Sequence, residues 1–200
     1  MFDTSLMRSP LHSYGLAARA KAADVTCGVW ANEVPLLAYI SLRGNANQTE
    51  FLVAVKSTLG LDLPTKPCAS TSNRPLSILW MSPDEWLITC ERSQLESLQQ
   101  SLKAVLTGIH SQVVDNSGGY TTLILQGANA TDVLQHCTIY VLHNLSKDKV
   151  VGTTFGKMSL FLSRHDDGYK LVFRRSFADY IWTLLERSAV PYGFGVQSLK

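Results

Sequence analysis

The chain has 200 residues, a formal net charge of +2, and 17% charged against 46% hydrophobic residues. A globular chain of this length buries roughly 70% of its unfolded surface, and this balance excludes a disordered or fibrous protein. A charge so near zero also excludes the broad field expected of a protein built to bind nucleic acid or an anionic membrane surface.

The first 25 residues hold no apolar core of signal-peptide length, and no later run reaches a membrane span, so the cytoplasm is the expected compartment. Four cysteines (27, 68, 90 and 137) lie far apart with no Cys-x-x-Cys, which argues against zinc.

In chain order, residues 1–24 read as an N-terminal arm with a helical turn around Leu16–Ala23, either disordered or laid on a partner. Val25–Trp30 and the stronger Leu36–Arg43 read as strands. A helix is predicted from about Asn47 to Leu59, with Phe51, Val55 and Leu59 on its buried face and Gly60 as its stop. Leu61–Pro75 carries three prolines and reads as a connector. Leu76–Trp80 and Trp86–Thr89 form strands about the Ser82–Glu85 turn, and Ser93 with Glu96 is a capping-box pattern opening the next helix.

Ser111–Val141 is the stretch around which the chain is organised. Val113-Val114 and Leu123–Leu125 flank Ser117-Gly118-Gly119, which reads as a hairpin, and Asn129 or Thr131 opens a helix. A second hairpin is predicted from Lys157–Ser163 and Tyr169–Arg174. Ser176 caps a last helix carrying Phe177, Ile181, Leu184 and Leu185, and a tail follows from Pro191.

The two halves, about 25–108 and 109–190 with a tail at 191–200, match at a constant offset of 83 positions. Ile40–Gly44 falls on Leu123–Gly127, Trp86 on Tyr169, and Arg92-Ser93 on Arg175-Ser176. Each half reads strand-strand-helix-strand-strand-helix. The predicted fold is a duplicated α+β domain over 25–200 with mainly antiparallel sheet.

Neither a phosphate-binding glycine loop nor a nucleophile elbow occurs, and the five histidines lack metal-ligand spacing. Turn preference accounts for Asp84-Glu85 and Asp166-Asp167. Asp115, just before a Ser-Gly turn, is placed to bond that turn's backbone; the alternative is a carboxylate facing a ligand amine. No catalytic, cofactor-binding or metal residue is assigned. A tryptophan outside the core makes a natural anchor for a protein interface. The candidate partner interface is therefore Trp80, Pro83 and Trp86 at the first hairpin turn, with Tyr192 and Phe194 in the tail.

Four segments together, LWMSPDEWLI (79–88), VVDNSGGYTTLILQGANATDVLQHC (113–137), VGTTFGKMSLFL (151–162) and YKLVFRRSFADYIWTLL (169–185), resemble the gamma subunit of heterotetrameric sarcosine oxidase. Ser9–Leu11 also resembles that family's N-terminal region. The resemblance implies a fold like the folate-binding domain of glycine-cleavage aminomethyltransferases. It further implies a non-catalytic partner of the alpha subunit, with beta and delta in the same complex. FAD, FMN, NAD, tetrahydrofolate and zinc would then sit on the other subunits.

The chain departs from the folate enzymes at two places. Ser117-Gly118-Gly119 stands where they carry Ser-His-Met, and Gly156–Ser163 (GKMSLFLS) holds no acid where they carry the catalytic carboxylate. The Lys-Gly-Cys-Tyr motif of the related iron–sulfur-assembly proteins is also missing. These departures favour a subunit over an enzyme; the alternative is a stand-alone folate-binding or one-carbon-transfer protein.

Overall fold

The structure, a computed structural model, describes residues 7–199. Residues 1–6 of the expected arm and Lys200 of the expected tail lie outside the described residues. In chain order come α1 (Leu16–Arg19), β1 (Val29–Val34), β2 (Ala38–Gly44), α2 (Thr49–Leu59) and β3 (Ser70–Asn73). Then follow β4 (Leu76–Ser82), β5 (Glu85–Cys90), α3 (Leu95–Val105), β6 (Ser111–Asp115), β7 (Tyr120–Gln126) and α4 (Ala130–Cys137). The last elements are β8 (Val150–Phe155), β9 (Met158–His165), β10 (Gly168–Arg174), α5 (Ala178–Ala189) and β11 (Phe194–Val196).

The chain packs as two compact units. One takes the described residues up to Leu36, Gly119–Lys147 and the described residues from Val151; the other takes Leu37–Gly118 with Asp148–Val150.

The second unit is an antiparallel sheet in the order β3-β4-β5-β2-β6. Alternation along β2 turns Ala38, Ile40 and Leu42 to one face, where they meet Ile78, Trp86 and Ile88. Phe51, Val55 and Leu59 of α2 and Leu95 and Leu102 of α3 complete that core. Gly60 ends α2 at φ +66°, its N–H reaching back 2.9 Å to the Lys56 carbonyl.

The first unit is a sheet in the order β11-β1-β7-β10-β9-β8. Strands β1, β7, β10 and β9 run antiparallel in succession, and β11 lies parallel to β1. Ile181, Trp182 and Leu185 of α5 and Val133 and Leu134 of α4 are buried, and a 3.3 Å contact from Cys137 Sγ to Ser188 Oγ joins the two helices.

The arm is part of this unit. Leu11 and Leu16 are buried, the Tyr14 ring packs tilted against Trp182 with centroids 5.9 Å apart, and Arg19 pairs with Glu186 at 2.9 Å. The expected helical turn shortens to Leu16–Arg19.

The hairpin expected across Ser117-Gly118-Gly119 does not form. Strand β6 pairs with β2, while β7 pairs with β1 and β10. Asp115 and Asn116 divert the chain: the Ser117 N–H bonds Asp115 Oδ1 at 2.9 Å, and the Asn116 N–H bonds the Tyr39 carbonyl at 2.8 Å. Each sheet thus incorporates the opening strand of the opposite sequence half, and the compact units cross the boundary expected near residue 108. The other two hairpins form as expected, the first with a bulge between Trp80 and Ser82.

Three capping expectations are also corrected. Ser93 and Ser176 lie inside short 3-10 turns (Arg92–Gln94 and Arg175–Phe177) that precede α3 and α5, and neither caps its helix. Asn129 precedes α4 without a capping bond; its Nδ2 donates to Asp132 Oδ2 at 3.0 Å.

Candidate partner-binding site

In the second unit, one end of the sheet opens into a cleft of about 950 Å³. Its wall is built by the turn from β2 into α2 (residues 43–47), the β4–β5 hairpin (Trp80, Pro83, Asp84), and His110 with the start of β6 (Ser111, Gln112), with Thr65 and Pro67 of the connector. Trp80 is half-buried, one side against the core cluster. Pro83 is exposed at the hairpin tip.

The turn from β2 into α2 is tight because Gly44 is glycine. A Cβ there would meet the Phe51 ring at 2.4 Å. Beyond it, the Asn47 N–H bonds Asn45 Oδ1 at 2.9 Å, a local turn closure typical of asparagine.

Arg43 Nη2 lies 2.7 Å from Asp84 Oδ2, and Ser82 Oγ donates to Asp84 Oδ1 at 2.8 Å. The Ser82 hydroxyl, then the Arg43 guanidinium, hold the Asp84 carboxyl below its ordinary range. The cleft therefore offers an indole, a proline and an internally neutralised ion pair.

Of the five interface candidates, the structure brings Trp80 and Pro83 together in this cleft. Trp86 is a correction: it is 0% exposed, with Nε1–H donating 2.8 Å to the Pro64 carbonyl, and so belongs to the core. Tyr192 and Phe194 belong to the other unit. Phe194 sets its edge 5.4 Å from Trp182, and the Tyr192 carbonyl accepts from the Gly28 N–H at 2.7 Å.

Arg43, Asn45 and His110 are cleft residues that the sequence reading did not select. Arg43 carried a signal, being the charged residue at the end of an apolar strand, but nothing local pairs it with Asp84.

Among the described residues, no three or more of His, Cys, Asp and Glu converge as a metal site, and no helix is long and apolar enough to cross a membrane. Asp115 Oδ1 is engaged by the Ser117 N–H and, at 2.5 Å, by Ser117 Oγ. The Gly156–Ser163 segment is a turn running into β9, with Leu160 and Leu162 buried.

The structure of heterotetrameric sarcosine oxidase from Corynebacterium sp. U-96 in complex with pyrrole 2-carboxylate is similar to this chain at 24% identity and a TM-score of 0.82, covering 94% of this chain and 96% of that one. Aminomethyltransferase T of the glycine cleavage system from Bartonella henselae is similar at 15% identity and a TM-score of 0.67. That match covers 94% of this chain and 58% of the enzyme. Both likenesses show the shared α+β fold of the folate-binding domain. A search of curated proteins gave no match. The profile of the sarcosine oxidase gamma subunit family matches residues 43–190, across both halves of the duplication. This chain belongs to the sarcosine oxidase gamma subunit family.

Proposed function

We propose that this chain is a non-catalytic gamma subunit that stabilises and helps assemble a heterotetrameric, cytoplasmic sarcosine oxidase. Its main partner is the alpha subunit, with beta and delta in the same complex. FAD, FMN, NAD, tetrahydrofolate and zinc reside on those other subunits, which oxidatively demethylate sarcosine and pass the carbon to tetrahydrofolate. The family match over residues 43–190 carries this reading. Two local features support it: the Asp115 carboxylate is committed to its own turn, and Gly156–Ser163 supplies no acid.

Co-expression with and without this chain is the test. Loss of assembly or of sarcosine oxidation without it is expected; a complete, fully active complex lacking it defeats the proposal.

The likeness to aminomethyltransferase T favours a second reading, a stand-alone folate-binding or one-carbon-transfer protein. With Asp115 engaged and no acid in Gly156–Ser163, the residues do not fit the carboxylate that such a site requires. Saturable binding of tetrahydrofolate by the isolated chain would promote this reading, and its absence would remove it.

A further inference from the structure

We propose that β6 is a receptor edge, to which a partner subunit adds an extended strand running parallel to it. The inference rests on the subunit reading above and names where the partner attaches.

The hydrogen-bonding direction of β6 follows from its neighbours. In an antiparallel pair, alternate residues point both backbone groups at the partner strand. The Gly44 N–H bonds the Asp84 carbonyl at 3.1 Å and the Tyr39 carbonyl accepts from Asn116 at 2.8 Å. So Ile40, Leu42 and Gly44 address β5, whereas Ser41 and Arg43 address β6. With Ser41 opposite Val114 and Arg43 opposite Gln112, the backbone groups of Ser111, Val113 and Asp115 point away from the sheet. Val114, beside them, keeps 41% of its surface exposed.

The duplicated strand shows what fits such an edge. In the first unit, β1 holds the position in its sheet that β6 holds in the other: Trp30 faces Gln126 as Gln112 faces Arg43. Strand β1 does not end its sheet. Strand β11 lies parallel on it, the Val29 N–H donating to Gly193 at 3.2 Å and the Ala31 carbonyl accepting from Gln197 at 3.1 Å. By register, Ser111 and Val113 correspond to Val29 and Ala31.

A short edge strand protects itself from unwanted pairing by its brevity alone, which is the plain explanation for β6. Two other short edges, β3 and β11, are each met at one end by another stretch of the chain. Beside β3, Ser70 N–H bonds the Asp148 carbonyl and Val150 N–H bonds Cys68, each at 2.8 Å. At β11, the Lys21 N–H bonds the Val196 carbonyl at 3.0 Å, and Lys21 bridges Gln197 just past the strand in parallel. Strand β6 (SQVVD) carries no lysine, proline or bulge, the usual guards against edge pairing. Backbone pairing supplies affinity in strand addition, and side chains supply specificity. Gly195 of β11 is forced by the Trp30 ring, 2.4 Å from a Cβ there. Gln112 replaces that tryptophan on β6, so the incoming strand needs no glycine.

Amide hydrogen exchange, resolved residue by residue, tests this on the isolated chain and on the four-subunit complex. In the isolated chain, Gln112 and Val114 are expected to be protected by β2, with Val113 and Asp115 exchanging fast. In the complex, Val113 and Asp115 should slow by at least about tenfold, restoring an unbroken row of protection. A complex that forms with Val113 still fast overturns the receptor edge and leaves the subunit reading standing. Failure of the chain to join any complex sinks both. Protection of Val113 already in the isolated chain at high concentration, with dimer in solution, assigns the edge to a second copy and overturns the proposal.

Discussion

Trp80 and Trp86 face each other across the β4–β5 pair but live in different surroundings. Trp86 lies on a strand flanked on both sides, under the Pro64 connector that accepts its indole proton. Trp80 sits beside the bulge in the β4–β5 pair, and one side of it opens to the cleft. Trp86→Ala is expected to cost about 3–5 kcal/mol in urea unfolding. Trp80→Ala is expected to cost less, about 1–2 kcal/mol for its half-buried surface, while reducing recovery of the complex from co-expression. Equal destabilisation by the two would contradict this division.

The cysteines divide in the same way. Burial pushes the Cys90 thiol up to about 11 and raises Cys137 as well, while Cys27 and Cys68 are half-exposed. A thiol-reactive disulfide at neutral pH should therefore modify Cys27 and Cys68 quickly, and the other two only after unfolding. Because folding raises the Cys90 value, its contribution is fully present below the ordinary thiol value of 9.0 and is lost as pH rises through about 11. The urea midpoint should fall across that window, and less so in Cys90→Ala.

At the scale of elements, the arm joins the core of its unit. Leu11 is 0% exposed, and Tyr14, whose hydroxyl bonds Asp179 and Thr183, covers Trp182. Leu11→Ala is expected to cost about 2–5 kcal/mol, measured as a lowered urea midpoint of the isolated chain. An arm merely draped on the surface would lose under half of that.

Element positions were legible where periodicity carried them. Phe51, Val55 and Leu59 marked α2, and the 83-residue offset places Arg92–Gln94 on Arg175–Phe177, two 3-10 turns of the same length. Strands β3, β8 and β11 escaped notice. The first is polar (STSN), the second (VVGTTF) carries glycine and two threonines after only two apolar residues, and the third has three residues with glycine at its centre.

At the scale of the whole molecule, the duplication could be read from the residues, whereas the pairing of the strands could not. An alternating strand looks the same whichever neighbour it bonds, and β6 followed by Ser-Gly-Gly satisfies every local rule for a hairpin. What decides is the engagement of Asn116 with Tyr39, a partner 77 positions away in sequence. The cleft was half legible for a related reason. The hairpin tip announces Trp80 and Pro83, but Arg43 of β2 and His110, just before β6, meet through a strand pairing that is a property of the fold.

The pairing of β1 with β7 and of β6 with β2 has a practical corollary for anyone who cuts the gene. A break after Gly108 severs a surface turn between α3 and β6, yet it leaves each fragment carrying a strand that completes the other's sheet. Produced separately, fragments 1–108 and 109–200 should each lack cooperative unfolding; produced together, they should recombine into a folded pair. What looks like a tandem of two modules is, in this sense, an indivisible knit.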